Sequence, residues 1–161
     1  MTGVQTCALP ISSLKLEITE SVIMENAELA AKMLNELKAL GSHLAIDDFG
    51  TGYSSFSHLH KFPIDTLKID RAFVSRMDTS SDSAEIVRTI LMLAHNLKME
   101  VVAEGVETSA QVKQLKELGC DFGQGYFINR PMDAESATKL LAEEARLPQL
   151  SLRPAMELAV H

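Results

Sequence analysis

Asp47-Asp48-Phe49-Gly50-Thr51-Gly52-Tyr53-Ser54-Ser55 follows the short apolar run Leu44-Ala45-Ile46. Two adjacent carboxylates at the end of a strand-like run, with a two-glycine loop behind them, form a place where a divalent metal can meet a phosphate. Neighbouring side chains on a strand point to opposite faces, so both acids serve one site only where the strand ends and the backbone turns. The glycines are expected to supply that turn. The plainer reading is a β-turn in which the aspartates cap the backbone. The rest of the chain weighs between the two.

Apolar runs of the same kind recur, each closed by a carboxylate or an amide: Leu14-Lys15-Leu16-Glu17, Leu67-Lys68-Ile69-Asp70, Val101-Val102-Ala103-Glu104 and the weaker Phe122-Gly123-Gln124. Helical patterns separate most of them. The first helix is expected to bury Leu29, Met33, Leu37 and Leu40 and to stop at Gly41. A second opens with Asp82 and Glu85 in capping-box spacing, with Ile86, Ile90, Leu93 and Leu97 inward. A third opens with Thr108 and Gln111, buries Val112, Leu115 and Leu118, and ends at Gly119. The last runs from about Asp133 to about Arg146 with Leu140 and Leu141 inward, and a short helix is expected over Ser54 to Phe62, before Pro63.

Five strands alternating with helices imply an α/β fold, a parallel sheet with helices outside and an active site at the C-terminal strand ends. Nearly every strand ends in a charged or amide group. An open doubly wound sheet would gather them at one switch point, so the pattern favours part of a (β/α)8 barrel. Such barrels take about 250 residues, and this chain has 161. About three strand-helix units are expected to be missing from the front, which would leave unpaired edges near Leu16 and near Gln124.

Composition fits a cytoplasmic globular piece with one core: 46% hydrophobic, 23% charged and no long apolar span. Cys7 and Cys120 lie far apart without metal-ligand spacing and read as thiols in a reducing compartment. Neither a leader nor a membrane span is visible, although a membrane anchor could precede the segment. A net charge of −7 argues against DNA or RNA polymers as partners, which need clustered Lys and Arg. An acidic site still holds a phosphodiester if metal ions stand between the two. His43, His58, His60 and His95 lack ligand spacing and read as solvated or packed.

The quoted runs resemble the EAL domain, the bacterial phosphodiesterase family that hydrolyses cyclic di-GMP. The likeness covers about Leu14 to Arg146. It rests on Leu16-Glu17-Ile18-Thr19-Glu20-Ser21, the Asp47 to Ser55 loop, Phe62-Pro63-Ile64-Asp65, Leu67-Lys68-Ile69-Asp70, Ala103-Glu104-Gly105-Val106-Glu107-Thr108, and Gln124-Gly125-Tyr126 with Pro131 beyond. The resemblance implies a truncated TIM-type barrel that uses Mg²⁺ or Mn²⁺ to convert cyclic di-GMP to linear pGpG. By the same resemblance, Glu17, Asp47, Asp48 and Glu104 are metal ligands, with Asp47 shared by two ions. Lys68 stands beside the attacking water or the scissile phosphate. Glu107 steadies the Asp48 to Ser55 loop, with Glu20 helping, and Gln124 is the last strand's polar contact. A homodimer and an upstream sensory or GGDEF (diguanylate cyclase) domain are the implied partners.

The chain also departs from the family pattern. The Glu-Ala-Leu signature is absent, and so is the asparagine of the following strand. Val4-Gln5-Thr6-Cys7-Ala8-Leu9-Pro10-Ile11 resembles the in-frame translation of a common sequencing adapter, so residues 1–13 are read as a non-native segment with few core contacts. Residues 14–146 are then the C-terminal part of the domain, and 147–161 a loose tail. This fragment alone is expected to be inactive. The alternatives are a receptor that binds the nucleotide without cleaving it and an inert fragment. Plainer readings of the residues are an interior polar pair for Lys68 and Asp70, and purely structural carboxylates for Glu20 and Glu107.

Overall fold

The computed structural model describes residues 10–51, 59–144 and 153–154, with side chains as far as 142. Strands β1 (Lys15–Thr19), β2 (His43–Phe49), β3 (Thr66–Ile69), β4 (Glu100–Ala103), β5 (Phe122–Gly123) and β6 (Arg153–Pro154) form one sheet in sequence order. Every neighbouring pair is parallel. The sheet is open, because β1 and β6 are its ends. Helices α1 (Glu20–Glu25), α2 (Ala27–Ala39), α3 (Arg71–Val74), α4 (Ser81–Asn96), α5 (Ser109–Glu117) and α6 (Ala134–Glu144) make the connections. The expected five strands are present, and Arg153–Pro154 adds a sixth where the sequence places a loose tail. It pairs the outer edge of β5 at Phe122 and Gly123, the edge expected to be bare.

Strand parity decides where the site can form. Leu16, Ile18, Leu44, Ile46, Leu67, Ile69, Val101 and Ala103 all join the core that packs beneath the helices. Alternation therefore turns Glu17, Asp47 and Lys68 to the opposite face. Helix residues Leu34, Val87, Ile90, Leu91, Ala94 and Leu115 complete that core.

Three helical faces differ from the pattern reading. On α2, Leu29, Met33 and Leu40 are 54 to 61% exposed while Leu34 is 4% exposed. Small residues explain the rotation: Ala27, Ala30 and Ala31 line the core side with Leu37 and let the helix approach the sheet closely. The bulkier stripe is left exposed. On α4, Val87, Leu91 and Ala94 are buried with Ile90, while Ile86 faces outward. Its cap is Ser80, which accepts from the Ser83 N–H, in place of Asp82. The Thr108–Gln111 capping box forms as read. Leu141 is exposed, contrary to expectation. The helix expected over 54–62 lies outside the described residues up to 58; the chain turns at Leu59–Phe62.

Two aspartates just before a strand fasten the opposite rim. Asp65 accepts the Leu44 N–H at 2.9 Å and pairs with Lys38. Asp121 accepts the Val101 N–H at 2.9 Å and meets His95 at 3.0 Å. His95 and His43, the latter 3.7 Å from Asp65, are thus structural partners of acids.

Candidate metal centre

Lys68 stands at the middle of the site. Its ammonium lies 2.7 Å from Glu17 Oε2, 2.8 Å from Glu104 Oε1 and 3.2 Å from Asp47 Oδ1. The residue is 3% exposed. Burying a lone charge costs several kcal/mol, so the ammonium is tenable because the carboxylates surround it. Glu17 lies within β1, Asp47 within β2 and Glu104 just past β4, on strands to either side of β3, which puts Lys68 and not Asp70 at the centre. Asp70 caps α3 instead, accepting the Ala72 N–H at 2.7 Å, so Lys68 and Asp70 are not an interior pair.

Asp48 joins this cluster by an unusual backbone. Parity would point it toward the helices. Its φ of 55° is left-handed, and the register with β3 shifts between Ile46 and Phe49. An inserted kink of this kind re-aims a side chain. The turn expected from the glycines is therefore made at Asp48 itself, inside the strand. As a result, carboxylate oxygens of Asp47, Asp48 and Glu104 all lie within 4.8 Å of one another. The Asp48 carboxyl is held above its ordinary pKa by desolvation, by the charges of Asp47 and Asp70, and by a hydrogen bond with Asp70. Oxygen-only donors at this spacing suit a hard divalent cation such as Mg²⁺, Mn²⁺ or Ca²⁺, and no nitrogen or sulfur ligand joins them among the described residues.

The loop after Asp48 is tied down by Glu20. This carboxylate is 2% exposed and accepts the Gly50 N–H at 2.9 Å. Gly50 has φ 99°, and a Cβ there would sit 2.9 Å from the Phe73 ring. Glycine is therefore required twice over, by conformation and by space. Glu107 pairs with Arg71 at 2.8 Å, so Glu20 is the carboxylate that meets the described part of this loop. Residues 52–58 of the loop lie outside the described residues. Gln124, just past β5, has a buried Oε1 with no hydrogen-bond partner among the described residues. Arg71 escaped the sequence reading; the available signal was a cation directly behind Lys68-Ile69-Asp70.

Fold and site define a parallel β/α domain with an acidic, metal-type centre at its C-terminal rim. A family model described as the EAL domain matches residues 6–131. The chain is 46% identical over 138 residues to the bifunctional diguanylate cyclase/cyclic di-GMP phosphodiesterase MucR of Pseudomonas aeruginosa, covering 86% of this chain and 20% of that protein. It superposes on the structure titled PaMucR phosphodiesterase, c-di-GMP complex, with TM-score 0.78 and 46% identity, covering 80% of this chain and 52% of that one. Klebsiella pneumoniae BlrP1, in a manganese and cyclic di-GMP complex, matches with TM-score 0.68 at 35% identity, over 73% and 30% of the two chains. The chain belongs to the EAL domain family. It spans only 18%, 17% and 22% of three curated relatives that it matches. Among the described residues, no helix is long and apolar enough to cross a membrane.

Proposed function

We propose that residues 14–146 are the C-terminal part of a domain that hydrolyses cyclic di-GMP to linear pGpG with two Mg²⁺ or Mn²⁺ ions, and that this chain alone is inactive. Residues 1–13 are then a non-native segment and 147–161 a tail. A nucleotide substrate of the cell interior fits a cytoplasmic domain, and the bifunctional name of MucR supports an upstream GGDEF domain in the parent protein. The observation that carries the reading is the approach of the Asp47, Asp48 and Glu104 oxygens to within 4.8 Å of one another on one rim.

Divalent cations supply, when bound, Lewis acidity and charge compensation at a phosphate. Asp47, Asp48, Glu104 and Glu17 are the residues that would hold them. Asp47, adjacent to Asp48 and bonded to Lys68, is the carboxylate best placed to be shared. Lys68 orients three acids at once and brings positive charge where a phosphodiester oxygen becomes more negative. Glu20 keeps the Asp48 loop in place through Gly50, and Gln124 offers an unsatisfied acceptor to a donor on the ligand. Hydrolysis adds water across one P–O3′ bond, so the oxygen of water joins phosphorus and the 3′ oxygen leaves with a proton.

The test compares this 161-residue chain with a domain restored by fusing the N-terminal half of a relative, assayed for pGpG with Mn²⁺ or Mg²⁺. The chain should be inert, the restored domain active, and restored Asp47→Asn nearly inactive. Strong hydrolysis by the fragment that survives Asp47→Asn would overturn the assignment. Binding of cyclic di-GMP without turnover by the restored domain would make it a receptor.

A further inference from the structure

We propose that Arg71 is a positioning residue that holds Glu104 in register with Asp47 and Asp48 by clamping the loop between β4 and α5; this rests on the metal-centre reading above. Arg71 opens α3 directly after the Asp70 cap. Its guanidinium donates to Glu107 Oε1 at 2.8 Å while its side chain remains 65% exposed. The stem of the same side chain lies against Gly105. A Cβ built on that glycine would stand 2.3 Å from Arg71 Cγ and 2.8 Å from both its Cβ and Cδ. Gly105 also has φ 66°, a conformation that favours glycine. Residue 105 is thus bare because the arginine stem occupies its space.

The consequence falls on the residue before it. Glu104 donates its N–H to Ile69 O at 3.1 Å, and Val106 donates to Gln124 O at 3.0 Å, which anchors the backbone on both sides of Gly105. Gln111 Oε1 receives the N–H groups of Glu107 and Thr108 at 2.7 and 3.0 Å. Between these anchors, Arg71 touches the loop at two points, Gly105 by packing and Glu107 by charge. One side chain at the start of α3 therefore fixes the direction in which the end of β4 presents its carboxylate. Ion pairs this exposed add little to global stability, so the role of the contact is local. Groups that orient metal ligands without touching the ion commonly change affinity by about 10- to 100-fold.

The test uses the full chain with Arg71→Met, Arg71→Lys and Glu107→Gln. Mn²⁺ affinity is read by titration of the free-ion paramagnetic signal, loop order by amide hydrogen exchange, and global stability by thermal melting. Arg71→Met should weaken Mn²⁺ binding about tenfold and speed exchange at Val106 and Glu107 about tenfold. The Leu67 and Val101 amides should not change, and the melting temperature should move by less than about 2 °C. Lysine should recover most of both effects, because its stem still covers Gly105 and its ammonium reaches Glu107. Glu107→Gln should give a partial loss. Unchanged affinity and exchange in Arg71→Met would overturn the proposal, as would loosening spread evenly over the sheet. If the unaltered chain binds no Mn²⁺, the metal reading fails, and the exchange data still decide the role of Arg71.

Discussion

Replacing Lys68 by methionine tests the arrangement of the site most directly, because one ammonium pairs with three carboxylates. Methionine keeps most of the buried stem and removes the charge. In the folded chain, Glu17, Asp47 and Glu104 then face one another with no ammonium between them. Breaking a buried ion pair by deleting one partner costs about 3–5 kcal/mol. The three carboxylates remain 30, 24 and 20% exposed, so water takes up part of the loss and the lower end, about 3 kcal/mol, is expected. For a chain of 161 residues, each kcal/mol moves the melting temperature by about 2–4 °C. Lys68→Met should therefore melt about 6–12 °C below the unaltered chain in EDTA. A divalent cation can replace the lost charge, and saturation at about 100 times Kd returns about 2.7 kcal/mol. Adding Mn²⁺ should thus close most of the gap, with a larger upward shift in the variant than in the parent chain. In a restored domain the same change should lower turnover without weakening metal binding. Circular dichroism melts over a Mn²⁺ series make the measurement. A variant that melts with its parent in EDTA, or gains no more than its parent from Mn²⁺, would refute the idea that Lys68 holds the acids together.

Leu34→Ala should cost about 2–5 kcal/mol in urea unfolding, whereas Met33→Ala should stay within about 0.5 kcal/mol; the reverse order would mean that α2 buries its bulky stripe after all. Asp65 has its carboxyl held below the usual range: desolvation raises it, but the Lys38 and Leu44 hydrogen bonds and the charges of Lys38 and His43 prevail. A depressed folded value means that its stabilisation is complete above the unfolded pKa of about 3.9 and is lost as pH falls through the folded value. Asp65→Asn should thus cost about 1 kcal/mol at pH 7, and the two stability curves should merge in acid; a gap that persists unchanged below both values would refute the linkage. Burial pushes the Cys120 thiol up to about 12, so a disulfide reagent at pH 8 should modify it only after unfolding. Rapid labelling of Cys120 in the native chain would show that the β4–β5 region opens readily.

The order of strands and the face that bears the acids are legible in the sequence, for a reason of parity. Leu16 and Ile18, Leu44 and Ile46, Leu67 and Ile69, Val101 and Ala103 each occupy alternate positions, so Glu17, Asp47 and Lys68 must share the other face. What the sequence hides is depth. Lys68 lies at the centre because acids on β1 and β2 and just past β4 close around it, and no single-strand pattern reports that. The sequence pattern also fails on α2: Leu29, Met33 and Leu40 have helical spacing, yet they lie exposed while Ala30, Ala31 and Leu34 face the core. The paired aspartates at 65 and 121, which fasten the bottoms of β2 and β4, read in sequence as ordinary loop acids.

Asp48 marks the limit of such reading most sharply. Adjacent residues on a regular strand cannot serve one centre, and the sequence offers the glycines at 50 and 52 as the remedy. The structure resolves the conflict one step earlier, by placing Asp48 itself in the left-handed region, where aspartate is among the few non-glycine residues seen with any frequency. Such a conformation has an energetic cost and persists where its surroundings impose it. Here Glu20 grips Gly50 two residues on, and Phe73 closes over that glycine. A buried carboxylate on α1 and an aromatic ring on α3 thus enforce the geometry of an acid pair on β2. The residues that make the site possible are consequently found beyond the motif that announces it.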